Sequence, residues 1–273
     1  MIIDFHTHIF PDQVAAKAIP KLAAGHTLVP STNGTVDGLK ASMEKAEIDL
    51  SIALPVITDP HQFDSILKFT VSVNESCFDC DGPRILSFGG IHPESANYKE
   101  QLRAIKNEGL AGIKLHPQYQ SMEFDDIRYM RLIYTASELG LIVVTHAGHD
   151  VFIPDKPFCT PDMINHVLDE VAPPKMVLAH MGNNEHYEET LQKLCGRNVY
   201  FDTSYSFVNM PEELFIKIVR AHGVEKILFA SDCPWTTQKD GVDKLRNLTA
   251  LSEEEKNLIF SKNAVELLGL PLL

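Results

Sequence analysis

Eight short runs of β-branched and aliphatic residues, most of them followed by a longer amphipathic stretch, restrict what this chain can become more than any other feature. The runs lie at 2–8, 50–56, 85–91, 111–116, 141–146, 175–180, 199–204 and 226–232. Helical periodicity is clearest at 35–48, 61–78, 98–108, 124–139, 161–171, 186–195, 211–222 and 253–269. A strand that returns through a helix must lie parallel to its predecessor. Eight such units in 273 residues favour closure into a (β/α)8 barrel over an open sheet, since barrels of about 250 residues form single domains. The expectation is one α/β barrel domain over residues 1–273. No close internal repeat and no linker divides it.

Local signals agree with this reading. Thr160 before Pro161 reads as a helix N-cap with proline at the first helical position. Gly140, Gly196 and Gly223 stand where helices should stop. Two connections are long. Residues 9–34 follow the first strand and contain Pro11, Pro20, Pro30, Gly25 and Gly34; residues 147–160 follow the fifth. Both are expected as loops over the C-terminal mouth of the barrel, where they would cover a site.

Composition narrows the function. The formal charge of −13 disfavours nucleic acid and anionic membrane as partners, because each calls for a basic footprint. No apolar run approaches the roughly 18 residues that cross a bilayer, and the start MIIDFHTHIF lacks a basic region before its apolar residues. Five cysteines without a disulfide pattern fit a reducing, cytoplasmic setting. Cys77 and Cys80 form a lone CxxC, read as structural because no second pair completes a zinc site.

The twelve histidines are not scattered evenly. His6, His8, His92, His116, His146 and His180 fall at or just past strand ends, where barrel enzymes keep their chemistry. On a strand, residues two apart share a face, so His6 and His8 point the same way and their spacing allows them to grip one ion. By the same alternation Asp4 is expected on the face of His6, orienting a ligand through a hydrogen bond. Closure sets the last strand beside the first, which returns Asp232 to His6 and His8, with His146 approaching from the opposite wall. Three nitrogens and a carboxylate suit zinc or a similar divalent metal, with a position left for water. His26, His61, His149, His166, His186 and His222 are expected mostly at the surface, His149 near the mouth. Trp235 is expected either in the pocket wall or in packing.

The segments IDFHTHIF, GIKLHP (112–117), VTHAG (144–148), LAHMG (178–182) and ASDCPW (230–235), with the closing IFSKNAVELLGL (259–270), make the chain resemble the amidohydrolase superfamily, in particular its amidohydrolase 2 branch of TIM barrels. That resemblance implies His6, His8, His146 and Asp232 as metal ligands. It gives Asp232 a second part as proton shuttle, and it makes His180 a catalytic histidine or a ligand to a second metal. One divalent ion is expected, zinc first, with manganese or iron as alternatives. A second metal bridged by a carboxylated Lys114 is the lesser expectation. Lys114 and His116 are expected to touch substrate, with His92 structural or supporting a ligand from behind, and Asp202, Ser204 and Ser231 steering ligands or substrate.

Such a site hydrolyses an amide, lactone or ester of a small molecule through a metal-activated water. The same branch contains non-oxidative decarboxylases of aromatic or unsaturated acids with much the same ligands. No arginine lies directly beside a strand-end motif, which favours the hydrolase. A metal-binding barrel without catalysis is the third reading. The oligomeric state is not written in the sequence; homodimers are common in such families.

Overall fold

The computed structural model describes residues 1–24, 29–78, 81–150 and 156–271. His26 and Cys80 lie outside these residues. Among the described residues nine strands run in chain order: β1 Ile3–Thr7, β2 Leu50–Ala53, β3 Arg84–Ser87, β4 Gly89–Gly90, β5 Gly112–Leu115, β6 Ile142–Thr145, β7 Met176–Leu178, β8 Tyr200–Asp202 and β9 Ile227–Leu228. All pair in parallel, as β1-β2-β3 and as β4 through β9 in sequence. The run expected at 85–91 is thus one strand interrupted at Phe88, whose backbone N–H still donates to Ala53 O at 2.9 Å. At the other seam, Phe5 N donates to Phe229 O, Asp232 N to His6 O and His8 N to Cys233 O, at 2.7–2.9 Å. These bonds tie the first strand to the last and close the ring.

Two apolar layers follow from strand alternation. Ile3, Phe5, Leu50, Ile52, Leu86, Phe88, Ile142, Val144, Val177, Leu228 and Ala230 fill the interior. Residues of opposite parity, such as Ile85, Ile113, Leu115, Val143 and Phe201, meet the helices outside. Gly112 is required by this packing: a Cβ there would stand 2.5 Å from Ile142 O and 2.6 Å from the Phe88 ring.

Strand β1 departs from strict alternation. Ile3 and Asp4 pair with Leu50 and Ser51, but Thr7 pairs with Ala53, so three steps on β1 match two on β2. This bulge shifts the phase of the strand. Phe5 and His6 both face the interior, and Asp4 stays outside. The expectation that Asp4 shares a face with His6 is therefore corrected. Asp4 accepts from Ser231 N and Oγ, from Gln238 Nε2 and from His6 N, at 2.6–3.2 Å, and clamps β1 to the 230–232 segment from behind. Burial raises its carboxyl to about 6 against those four bonds.

The helices expected from periodicity are present, and Thr160 caps Pro161–Val171 by accepting from Met163 N. Gly140, Gly196 and Gly223 all have positive φ. Three α-helices of the described residues were not read from the sequence, the single turn Ser206–Asn209 and two longer ones. Asp12–Ala23 lies inside the connection expected to be a loop; Pro11 precedes it and it carries Pro20 internally, so proline content disguised it. Gln238–Asn247 buries only Gln238, Val242 and Leu245, too thin a stripe to register. The first connection still covers the mouth, since Phe10 and Leu22 line the cavity there. Among the described residues no helix is long and apolar enough to cross a membrane.

Candidate metal centre

A cavity of about 160 Å³ opens at the C-terminal mouth, lined by His6, His8, Lys114, His116, His146, His180 and Asp232 among others. Every residue named from the sequence as catalytic, metal-binding or substrate-binding therefore faces one space. Within it, His6 Nε2 and His8 Nε2 are 3.2 Å apart, and Asp232 Oδ1 is 3.5 and 3.3 Å from them. Ligands on a tetrahedral zinc at 2.0–2.1 Å are separated by about 3.3 Å, so this triangle has the edge length of a metal face.

Hydrogen bonds on the far side of each ring decide what the triangle offers. His8 Nδ1 is 2.8 Å from Leu54 O, a carbonyl that only accepts, so the proton sits on Nδ1. His6 Nδ1 is 2.9 Å from Asp202 Oδ2. Burial, aided by Lys114, pushes His6 down to about 3. Burial opposes ionisation of Asp202, yet His6, His180 and Ser204 outweigh it and hold its carboxyl below the usual range. His6 is thus neutral with its proton on Nδ1. Both Nε2 lone pairs and the Asp232 carboxylate, itself held low by His8, His6 and His180 against its burial, converge on one point. Three acceptors in that arrangement repel one another until a cation joins them. Lys114 Nζ, 3.0 Å from His6 Nε2, meets part of that demand; its own pKa is lowered by burial to about 8, against the pull of three aspartates.

His146 stands apart from the triangle and groups instead with His116 and Asp150. Its orientation is set by a chain of bonds. His180 Nδ1 donates to Ser204 O and Oγ at 3.0 and 2.9 Å. His180 Nε2 then accepts from His146 Nδ1 at 3.0 Å. The outcome is a lone pair on His146 Nε2, which is buried and has no hydrogen-bond partner. An orphaned acceptor costs free energy unless something occupies it, and a metal ligand is what this tautomer suits. The same chain commits His180 Nε2 to His146, which gives His180 a positioning part. His180 and Asp232 also adopt left-handed backbone, φ 56° and 75°, a strain found at functional sites.

Asp202 and Ser204, expected to steer ligands or substrate, hold the rings of His6 and His180 by hydrogen bonds. Asp202 Oδ1 accepts from His180 N, Ser204 N and Ser204 Oγ while Oδ2 holds His6. His116 is fixed through its backbone: Gln120 Oε1 accepts from His116 N and Tyr129 Oη, and Gln120 Nε2 donates to Ile57 O and Ile91 O, at 2.6–3.1 Å. Burial and Lys114 keep His116 neutral, and burial and the neighbouring imidazoles do the same for His146. His92, expected to be structural or to support a ligand from behind, is buried, its Nδ1 accepting from Glu94 N at 3.2 Å. Trp235 lines the cavity. His149 pairs with Glu185 at 2.8 Å. His222, expected at the surface, is buried and stacked on Phe201 with centroids 4.0 Å apart. Sequence reasoning missed Asp150, four residues after His146, and Tyr119; a carboxylate at that offset in a mouth loop was the available signal.

The family model described as "Amidohydrolase" matches residues 3–270. A search of curated protein sequences found no significant match. Solved structures are similar over nearly the whole chain. An uncharacterised TIM-barrel protein of Bordetella bronchiseptica has 19% identity, 98% of each chain covered and a TM-score of 0.78. A dihydroxybenzoic acid decarboxylase of Polaromonas, solved with bound manganese, has 17% identity, covers 100% of this chain and 98% of its own, and scores 0.72. A "probable 2-pyrone-4,6-dicarboxylic acid hydrolase" of Acinetobacter baumannii has 16% identity, coverage of 98% and 99%, and scores 0.65. At these identities the likeness is one of fold. The match across 3–270 decides the lineage: this chain belongs to the amidohydrolase family of metal-dependent hydrolases and decarboxylases.

Proposed function

We propose that the chain is a metal-dependent hydrolase that cleaves an amide, lactone or ester of a small molecule. One observation carries the reading: the lone pairs of His6 and His8 and the Asp232 carboxylate meet within 3.5 Å at the mouth cavity. Those three residues would hold a divalent ion; the orphaned Nε2 of His146, which stands with His116 and Asp150 outside the triangle, would serve as fourth donor only with a shift of its ring. Nitrogen and carboxylate donors suit zinc, and manganese or iron also accept such a set. A bound ion supplies Lewis acidity and makes hydroxide available near neutral pH.

The chain's own groups do the rest. Asp232 takes a proton from the attacking water and returns it to the leaving group. Lys114, facing the cavity beside His6, opposes negative charge gathering on the substrate's carbonyl oxygen. His180 acts through His146, whose tautomer it fixes. His116 contacts substrate from the wall.

A decarboxylase is the second reading, favoured by the Polaromonas structure that matches over the full length. Among the described lining residues the fixed cation is Lys114 and there is no arginine, which weighs against recognition of a carboxylate by a bidentate partner. The test is a panel of amides, lactones and aromatic acids with zinc- or manganese-loaded protein, reading hydrolysis and CO2 together. Hydrolysis that disappears in His6→Ala with His8→Ala supports the proposal. CO2 release without hydrolysis replaces it with the second reading.

A further inference from the structure

The segment after β6 is built to hold one side chain. Gly148 takes φ +87°, and a Cβ there would lie 2.2 Å from Asn184 N and 2.6 Å from Asn183 C, so two backbones touch at a point where only glycine fits. Asn184 N donates to Ala147 O, His149 N to Asn184 O, Gly148 N to Cys159 O and Asn184 Nδ2 to His149 O, at 2.9–3.3 Å. The residue presented to the cavity by this clamp is Asp150, buried and with its carboxylate 3.5 Å from His116 Nε2 and 3.9 Å from His146 Nε2. Nothing in the hydrolytic scheme above uses it.

Among the described residues the fixed charges lining the cavity are Asp150, Asp232 and Lys114. Asp232 and Lys114 both lie against His6, at 3.5 and 3.0 Å, and so belong to the metal end. Asp150 stands with His116 on the wall, in a cavity that also carries the rings of Phe10, Tyr119, Tyr205 and Trp235. A substrate whose carbonyl lies at the metal end therefore extends past a carboxylate in a cavity whose wall also carries aromatic rings. That surrounding welcomes an N–H donor or an ammonium group and repels an acid.

We propose that Asp150 is the specificity residue of this enzyme: it accepts a hydrogen bond from an amino or amide nitrogen of the substrate and so selects nitrogen-bearing neutral or cationic acyl compounds over carboxylic acids. The turnover form of this idea rests on the hydrolase reading; the binding form does not. Three p-nitroanilides of equal reach, 4-aminobutyryl, pentanoyl and glutaryl, are compared on zinc-loaded wild type and Asp150→Asn. Wild type is expected to prefer the amino over the carboxyl compound at least tenfold in kcat/KM. In Asp150→Asn that preference falls about ten- to a hundredfold, the usual worth of a hydrogen bond to a charged group, with the loss in KM. A ratio that stays within twofold, as a merely structural Asp150 would leave it, overturns the proposal. If none of the three is cleaved, the hydrolase reading is what has failed for these compounds, and calorimetric titration with benzylamine and benzoate decides Asp150 separately. Asp150→Asn should weaken benzylamine and tighten benzoate. Equal shifts, or no benzylamine binding to wild type, refute it.

Discussion

Replacing Asp202 by asparagine tests the tautomer argument on which the metal centre rests. Asp202 divides its work: Oδ1 accepts from His180 N at 3.0 Å, Ser204 N at 3.1 Å and Ser204 Oγ, and Oδ2 accepts from His6 Nδ1 at 2.9 Å. Asparagine has one oxygen. If it keeps the three donors at Oδ1, it turns an NH2 toward His6, and His6 must then accept at Nδ1 and move its proton to Nε2. The lone pair that would meet a metal is lost. If the amide flips, His6 is kept and three buried donors lose their acceptor, each costing about 1–3 kcal/mol. The first outcome is the cheaper. Removing the partner of a metal-ligating histidine typically weakens affinity 10–100-fold, or about 1.4–2.7 kcal/mol. Zinc affinity measured by chelator competition should fall by that factor in Asp202→Asn, with far-ultraviolet circular dichroism unchanged. Nitrogen-15 shifts of His6 in metal-free protein should report the proton moving from Nδ1 to Nε2. Zinc affinity within twofold of wild type would show that Asp202 does not set the ring, and the derivation of the centre from hydrogen-bond partners would be wrong.

Two further outcomes are expected. Gly148→Ala forces a Cβ against the Asn184 backbone at positive φ and should cost roughly 2–5 kcal/mol from strain and overpacking; urea denaturation of Gly148→Ala with an unchanged midpoint would contradict the clamp. His222 donates from Nε2 to Val199 O and accepts from Gly196 N at Nδ1, and burial lowers its pKa. Its unfolded form takes up a proton near pH 6.5 and the folded form resists, so its contribution is complete above 6.5 and drains away as pH falls, by at most about 1.4 kcal/mol per unit. Denaturation between pH 7.5 and 5.5 should therefore slope less steeply in His222→Gln than in wild type, and equal slopes would remove the argument.

What the sequence reveals here is the part governed by period and type. The eight runs, the glycine stops and the Thr160 cap are local preferences that tertiary packing did not override. His6, His8 and Asp232 were readable because strand ends and ring closure leave them few places to go. His146 was readable as a mouth residue, but its company with His116 and Asp150 depends on rotamers that no spacing fixes. Asp150 was hidden because its placement comes from Gly148 fitting against Asn184, a contact between segments 36 residues apart in number. Helix Asp12–Ala23 was hidden by Pro20, and helix Gln238–Asn247 by its narrow apolar stripe, although Gln238 supplies one of the bonds behind Asp4.

The extra residue in β1 has a consequence for how this barrel tolerates change. A regular strand offers the lumen one side chain in two, so a packed ring and a reactive imidazole could not be successive residues. Here Phe5 closes the apolar plug against Phe88 and His6, directly after it, begins the chemistry. The boundary between insulation and reactivity is one peptide thick. Straightening 5–8 into regular pleating with no change of length would swing both imidazoles out among the surrounding helices, taking His6 and His8 from the mouth while leaving the composition untouched.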